Sequence, residues 1–275
     1  MTELLRFPTN GIELEVAAAG HGPTVVLLHG FPHTWQVWTD VIPALALHHR
    51  VLAPNLRGFG DSTRTPDGLD AATLATDIEG LLEGRPATVV AIDAGVPAAF
   101  LLALRRPDLV TRLVLIEATL GPLAGAEDFF AAGPPWWFGF HTVPGLAETV
   151  LAGHEAEYVG WFYDQGTRGR GVRPHIRAAI GRAYTRPDAL RCALGFYRAL
   201  PTTSAQLTDA VRRARLTVPT TAIGAHPVGR ALENQLRPVT DDLTGHLIED
   251  CGHIVPLDRP EELLAAITAS GLSQG

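Results

Sequence analysis

The sequence predicts an α/β fold: a mostly parallel sheet flanked by helices, with a long helical segment inserted near the middle. Short apolar, β-branched runs alternate with segments of helical spacing over residues 1–117 and again over 214–275. Between 118 and 213 the strand-like runs vanish, and 13 of the 19 aromatic residues gather there. The core is therefore assigned to 1–117 and 214–275, and 118–213 to an inserted helical cap over the sheet.

Residues 4–7 and 12–18 read as two strands joined through Thr9-Asn10-Gly11, where Asn-Gly supplies the positive-φ pair of a tight hairpin. Thr24-Val25-Val26-Leu27-Leu28 is the apolar run of a strand covered on both faces, and it ends in His29-Gly30-Phe31-Pro32-His33-Thr34-Trp35. The strand Val51-Leu52-Ala53-Pro54 and the turn Arg57-Gly58-Phe59-Gly60-Asp61-Ser62 follow, then a helix over Ala71 to Leu82. A strand ending at Ile92, a helix after it and the strand 112–117 complete the first half. Beyond the insertion come a strand over Thr217 to Gly224, a helix near 229–237 and a last strand at about His246 to Glu249. A terminal helix runs from Arg259 to Ser270, with Pro260 suited to its first turn. Such alternation implies right-handed crossovers and an active site at the carboxyl ends of the strands.

The net charge of −7 disfavours nucleic acid and anionic membranes as partners. All basic residues are arginine, which reads as compositional bias. The two cysteines, Cys192 and Cys251, lie far apart in no metal-ligand spacing, as in a reduced cytoplasmic protein. The first residues show no signal-peptide pattern, and no apolar run approaches the ~20 residues of a membrane span.

The chemistry centres on Ala91-Ile92-Asp93-Ala94-Gly95. A buried strand stops at a carboxylate, a small-residue helix starts at once, and small residues sit two before and two after. This matches the nucleophile elbow of α/β-hydrolases, with aspartate in place of serine. A serine attacking a saturated carbon would leave an ether, which resists hydrolysis. An aspartate leaves an ester whose carbonyl belongs to the enzyme, so water can cleave it. An elbow aspartate therefore points to substrates with an electrophilic sp³ carbon, such as epoxides and alkyl halides.

His253, just after the last core strand, is placed as the general base; the other ten histidines keep a structural or solvated reading, with His33 near the pocket. Its supporting acid should follow the strand after the cap, but Ala225-His226-Pro227-Val228-Gly229 holds no carboxylate. Glu117, at the end of the strand beside the elbow strand, takes that role against the plain reading of a loop glutamate. The backbone N–H groups of Phe31 and Ala94 form the expected oxyanion hole, and a cis Phe31–Pro32 bond is open. Ring opening also needs a donor to the developing alkoxide. Tyr197 is the expected acid and Trp137 a second hydrogen-bond donor, against core packing as the plain reading of both. Trp136, Phe138, Phe140, Trp161 and Phe196, with His33, are expected to line the substrate pocket. No cofactor or metal is implied, since the nucleophile and water suffice.

With these residues in hand, the chain resembles the epoxide hydrolase branch of the α/β-hydrolases along nearly its whole length. The matching marks are His29-Gly30-Phe31-Pro32 with Trp35, Arg57-Gly58-Phe59-Gly60-Asp61-Ser62, Asp93 in the elbow, and Gly252-His253. It is most similar to the Cif-like group, which takes its acid from the Ile116-Glu117-Ala118 position and carries a Phe-Tyr-Arg-Ala segment like Phe196 to Ala199. Tryptophan at 137, where that group usually has histidine or tyrosine, resembles the actinobacterial epoxide hydrolases of kinamycin- and lomaiviticin-type polyketide biosynthesis. The resemblance implies a polycyclic aromatic epoxide as substrate. The chain departs from the family in having Ala91-Ile92 where Gly-His is usual.

Two alternatives stand beside this reading. Haloalkane dehalogenases usually place a tryptophan after the nucleophile and Asn or Trp after His-Gly, where this chain has Ala94 and Phe31. A non-enzymatic ligand-binding protein on a hydrolase fold is the other. The sequence leaves the oligomeric state open, a homodimer included.

Overall fold

The structure is a computed structural model that describes residues 2–186 and 188–272. Eight strands form one sheet: β1 (Glu3–Thr9), β2 (Ile12–Ala19), β3 (Thr24–Leu28), β4 (Arg50–Pro54), β5 (Ala87–Ile92), β6 (Val110–Ile116), β7 (Thr220–Gly224) and β8 (Leu243–Leu247). Their spatial order is β1-β2-β4-β3-β5-β6-β7-β8, with the β1–β2 and β2–β4 pairings antiparallel and the remaining five parallel. The hairpin closes with Thr9 opposite Ile12 around Asn10 and Gly11, at φ 44° and 74°. The inner strands are apolar because helices cover both faces; β5 is buried at all six positions.

Between β3 and β4 the chain makes a 3₁₀ turn, Trp35–Trp38, and a short helix α1 (Ile42–Leu45). Helix α2 (Ala71–Leu82) starts where the Asp70 carboxylate caps the Thr73 N–H and stops at Glu83, in the left-handed region. Its buried stripe, Leu74, Ile78, Leu81 and Leu82, faces the sheet. Helix α3 (Val96–Arg105) follows the elbow and is buried from Val96 to Ala103.

The chain then leaves the sheet. Residues 118–135 carry no helix, and six helices follow: α4 (Trp136–Thr142), α5 (Leu146–Leu151), α6 (Glu155–Gly166), α7 (Pro174–Tyr184), α8 (Ala189–Arg198) and α9 (Leu200–Arg213). The last of these packs on α2 and α3. Thr203 and Gln206 accept from the Ala71 and Ala72 N–H groups, so α9 satisfies free donors at the start of α2. Helices α10 (Ala231–Leu236), α11 (Val255–Asp258) and α12 (Pro260–Ala269) complete the core.

Two strands differ from expectation by three residues at their start, and the first of them, β7, begins at Thr220 instead of Thr217. The last strand is Leu243–Leu247, not 246–249. It is a half-exposed edge strand without an apolar run, so burial writes little register into its sequence. Among the described residues no helix is long and apolar enough to cross a membrane.

The Arg57-to-Ser62 turn is braced from below. Arg57 grips Asp77 of α2 through Nε at 2.8 Å and Nη2 at 2.6 Å, both side chains buried. Asn55, just before it, accepts from the Trp35 N–H at 2.8 Å and donates to Glu15 at 2.6 Å. His29 adds a third tie, accepting from the Leu56 N–H at 3.0 Å, with burial lowering its pKa to about 4.

Candidate active site

Asp93 leaves β5 at φ 51°, a region that residues other than glycine rarely adopt. The turn lifts its carboxylate above the sheet. Gly95, by contrast, has an ordinary φ of −74°. Its lack of a side chain answers a need for space, since a Cβ there would lie 2.7 Å from the His29 carbonyl oxygen and 3.0 Å from Leu28 Cβ. Gly30 is required for the same reason: a Cβ would sit 2.5 Å from Asp93 Cβ and 2.7 Å from the Ala94 nitrogen.

That close approach brings the Phe31 N–H to Asp93 Oδ2 at 2.7 Å, and the Ala94 N–H is directed at the same carboxylate. The Phe31–Pro32 bond is cis. The other oxygen, Oδ1, lies 3.9 Å from His253 Nε2. Burial raises the Asp93 pKa, against the opposing pull of His253 and the two N–H groups.

His253 Nδ1 lies 3.2 Å from Glu117 Oε2, so this ring nitrogen donates to the carboxylate and Nε2 faces Asp93. Glu117 also turns off its strand at positive φ, 43°, and its side chain is fully buried. The segment after β7, which carries no acid, supplies donors instead: Ala225 N–H and Val228 N–H (3.4 Å) both donate to Glu117. Burial lowers the basicity of His253, but the Glu117 hydrogen bond and the charges of Asp93 and Glu117 outweigh it and raise its pKa above 6.5. The loop carrying His253 is seated against the end of α6. The Ile254 N–H donates to the Gly166 carbonyl at 2.9 Å, and a Cβ on Gly252 would lie 2.8 Å from the Gly166 carbonyl carbon.

Above Asp93 lies a cavity of about 510 Å³ with largely aromatic and aliphatic walls. Tyr197, Trp137, Phe138, Trp161, Phe196 and His33 all line it, as expected from the sequence. Burial and the nearby Asp93 push the Tyr197 pKa well above 10, while the Trp137 indole draws it back. The hydroxyl therefore keeps its proton at neutral pH, as a donor must. Two expected pocket residues lie elsewhere. Trp136 is 56% exposed, and Phe140, one turn later, stacks beside it at 6.1 Å between ring centres. Positions 136 and 140 share one face of α4, and Trp137 and Phe138 hold the other.

His33 is more deeply placed than its sequence position implied. It is fully buried, and a ring nitrogen of His33, an oxygen of Asp93 and a ring nitrogen of His253 lie within 4.8 Å of one another. These three are the ligand atoms a divalent cation would find there. No sequence pattern marks Tyr163, whose hydroxyl lies 3.1 Å from His33 Nδ1 across 130 positions. Nor does any pattern mark the Ala225 and Val228 N–H groups, since backbone donors leave no trace in residue type.

Comparison with known proteins agrees with this fold. Residues 23–164 match the family model described as alpha/beta hydrolase fold. The chain belongs to the α/β-hydrolase fold family. This α/β-hydrolase is 29% identical to the soluble epoxide hydrolase of Corynebacterium sp. (strain C12), over 92% of this chain and 91% of that one. Among solved structures, it is similar to the epoxide hydrolase CorEH without ligand, at a TM-score of 0.88 and 28% identity over 98% of each chain. It is also similar to wild-type Cfl2 from Burkholderia cenocepacia, at a TM-score of 0.87 and 31% identity over 97% of this chain and 94% of that one.

Proposed function

We propose that this α/β-hydrolase is an epoxide hydrolase that opens a bulky aromatic epoxide to a vicinal diol through an ester on Asp93. The observation that carries the reading is the division of labour at the Asp93 carboxylate. Oδ2 rests on a backbone donor, and Oδ1 faces His253 Nε2 beneath a cavity that holds Tyr197.

In the first step Asp93 Oδ1 attacks an epoxide carbon, the carbon–oxygen bond of the ring breaks, and the released oxygen takes the Tyr197 proton. Trp137 donates a hydrogen bond to that oxygen. In the second step water adds to the ester carbonyl carbon of Asp93, giving one proton to His253 Nε2. The oxyanion rests on the Phe31 and Ala94 N–H groups. Collapse expels the alkoxide, which takes the proton from His253. The new Asp93 carboxyl returns its proton to the Tyr197 phenolate, and the diol leaves.

The helices of the insertion act in this reading as a cap that supplies the ring-opening donors and the apolar wall. The finer substrate assignment, a polycyclic aromatic epoxide of polyketide type, is supported by the aromatic lining and by a volume within the range of drug-sized ligands. The two buried free thiols, Cys192 and Cys251, fit a reduced cytoplasmic setting.

The test is a single turnover of styrene oxide in heavy-oxygen water, followed by digestion. Label in the peptide holding residue 93, with diol as product, is the expected result. Diol without label there would reject the covalent route, and halide release from haloalkanes without diol would favour dehalogenation.

A further inference from the structure

The hydroxyl of Tyr163 donates to the Pro32 carbonyl oxygen at 3.2 Å, an atom that can only accept. A phenol has one proton, so toward His33 Nδ1, 3.1 Å away, the same hydroxyl must accept. On this hydrogen-bond pattern the ring proton is assigned to Nδ1 of His33, which makes Nε2 a bare lone pair. That Nε2 is buried and has no hydrogen-bond partner, at a residue lining the cavity beside Asp93 and His253. An unmet acceptor in such a place is costly unless something donates to it.

We propose that His33 is a second imidazole acceptor for the hydrolytic water, holding one of its protons while His253 takes the other. The proposal rests on the Asp93 ester described above. The spacing favours water over a metal ion. Three atoms within 4.8 Å of one another leave room for a central atom about 2.8 Å from each, the length of a hydrogen bond to water. Zinc at ~2.0–2.1 Å would need ligand atoms about 3.4 Å apart, closer than the 3.9 Å that separates His253 Nε2 from Asp93 Oδ1. A water with both protons on imidazole nitrogens turns a lone pair toward the remaining corner, where the ester carbon of Asp93 stands. His253 accepts the proton outright when the oxygen–carbon bond forms. His33 keeps only the hydrogen bond, because burial and the neighbouring imidazoles of His253 and His29 hold its basicity far below that of a free histidine.

The two half-reactions separate this role from a structural one. With styrene oxide under rapid quench, His33→Leu is expected to alkylate at a rate within about threefold of the native enzyme and to hydrolyse the ester about 10- to 100-fold more slowly. The adduct should then accumulate by intact mass. His33→Gln, which keeps an acceptor, should recover hydrolysis to within about tenfold of the native rate. Tyr163→Phe keeps the imidazole but no longer fixes its tautomer, and should fall between the two. Rapid hydrolysis in alkylated His33→Leu overturns the proposal, and so does equal slowing of both steps in folded His33→Leu. Should His33→Leu fail to fold, His33→Gln and Tyr163→Phe decide: unchanged hydrolysis in Tyr163→Phe, or equal slowing of both steps in either, is the overturning result. Absence of any adduct or label in the native enzyme refutes the ester itself, a separate failure.

Discussion

The charge on Asp93 sets the basicity of His253. Asp93 and Glu117 both raise the pKa of the imidazole, so neutralising Asp93 must lower it. In the proposed cycle alkylation does this, and it does so when a neutral base is needed. Asp93→Asn should therefore shift the His253 pKa downward, read by NMR titration of the ring. For the native enzyme the sign is as follows. Below its raised pKa Asp93 gains a proton and alkylation is lost, and below the pKa of His253 in the ester the hydrolysis step is lost. Turnover should thus rise with pH on the acid side. Tyr197 holds its proton well above pH 10, so no alkaline fall from this group is expected below about pH 10. Tyr197→Phe should slow alkylation about 100-fold by rapid quench and leave hydrolysis of a preformed ester nearly unchanged. At this scale the sequence was informative wherever function demanded an unusual residue type. Aspartate in an elbow and the missing acid after β7 sufficed to single out Asp93 and Glu117. His33 stood in a visible motif, but its tautomer depends on Tyr163, and no local pattern joins the two.

Elements were legible in proportion to their burial. The runs of β3, β5 and β6 are apolar because both faces are covered, and they stand out as continuous hydrophobic stretches. Strand β8 is an edge, exposed at Thr244, Gly245 and Leu247, and its sequence places it three residues late at the start and two at the end. Helix α4 offered four aromatic residues in five positions, an arrangement too dense to reveal which face turns inward. The structure divides them, and Trp136→Ala should leave kcat/KM for styrene oxide within about twofold. Trp137→Phe should lower the alkylation rate about tenfold. The buried brace from the Arg57 turn to α2 gives a stability test. Arg57→Met leaves Asp77 buried without its partner and should cost about 3–5 kcal/mol in urea unfolding, most of it recovered in Arg57→Met with Asp77→Leu.

For the whole molecule the mostly parallel sheet follows from alternating strands and helices, but the contacts that seat the insertion on it do not. Long-range seating depends on backbone contacts such as Ile254 N–H to Gly166 and on the absence of side chains at two glycines. The cavity is large and apolar enough that kcat/KM should rise at least about tenfold from propylene oxide to an aryl epoxide, measured by diol formation. The seat of the His253 loop on the end of α6 has a consequence for evolution and for engineering. These helices are not a detachable module that could be exchanged between relatives to graft a new specificity. Any transplanted segment would have to reproduce a carbonyl and a hollow at 166 that accept the chain around 252–254. A chimera lacking that socket would keep its sheet and its aspartate while its imidazole drifted.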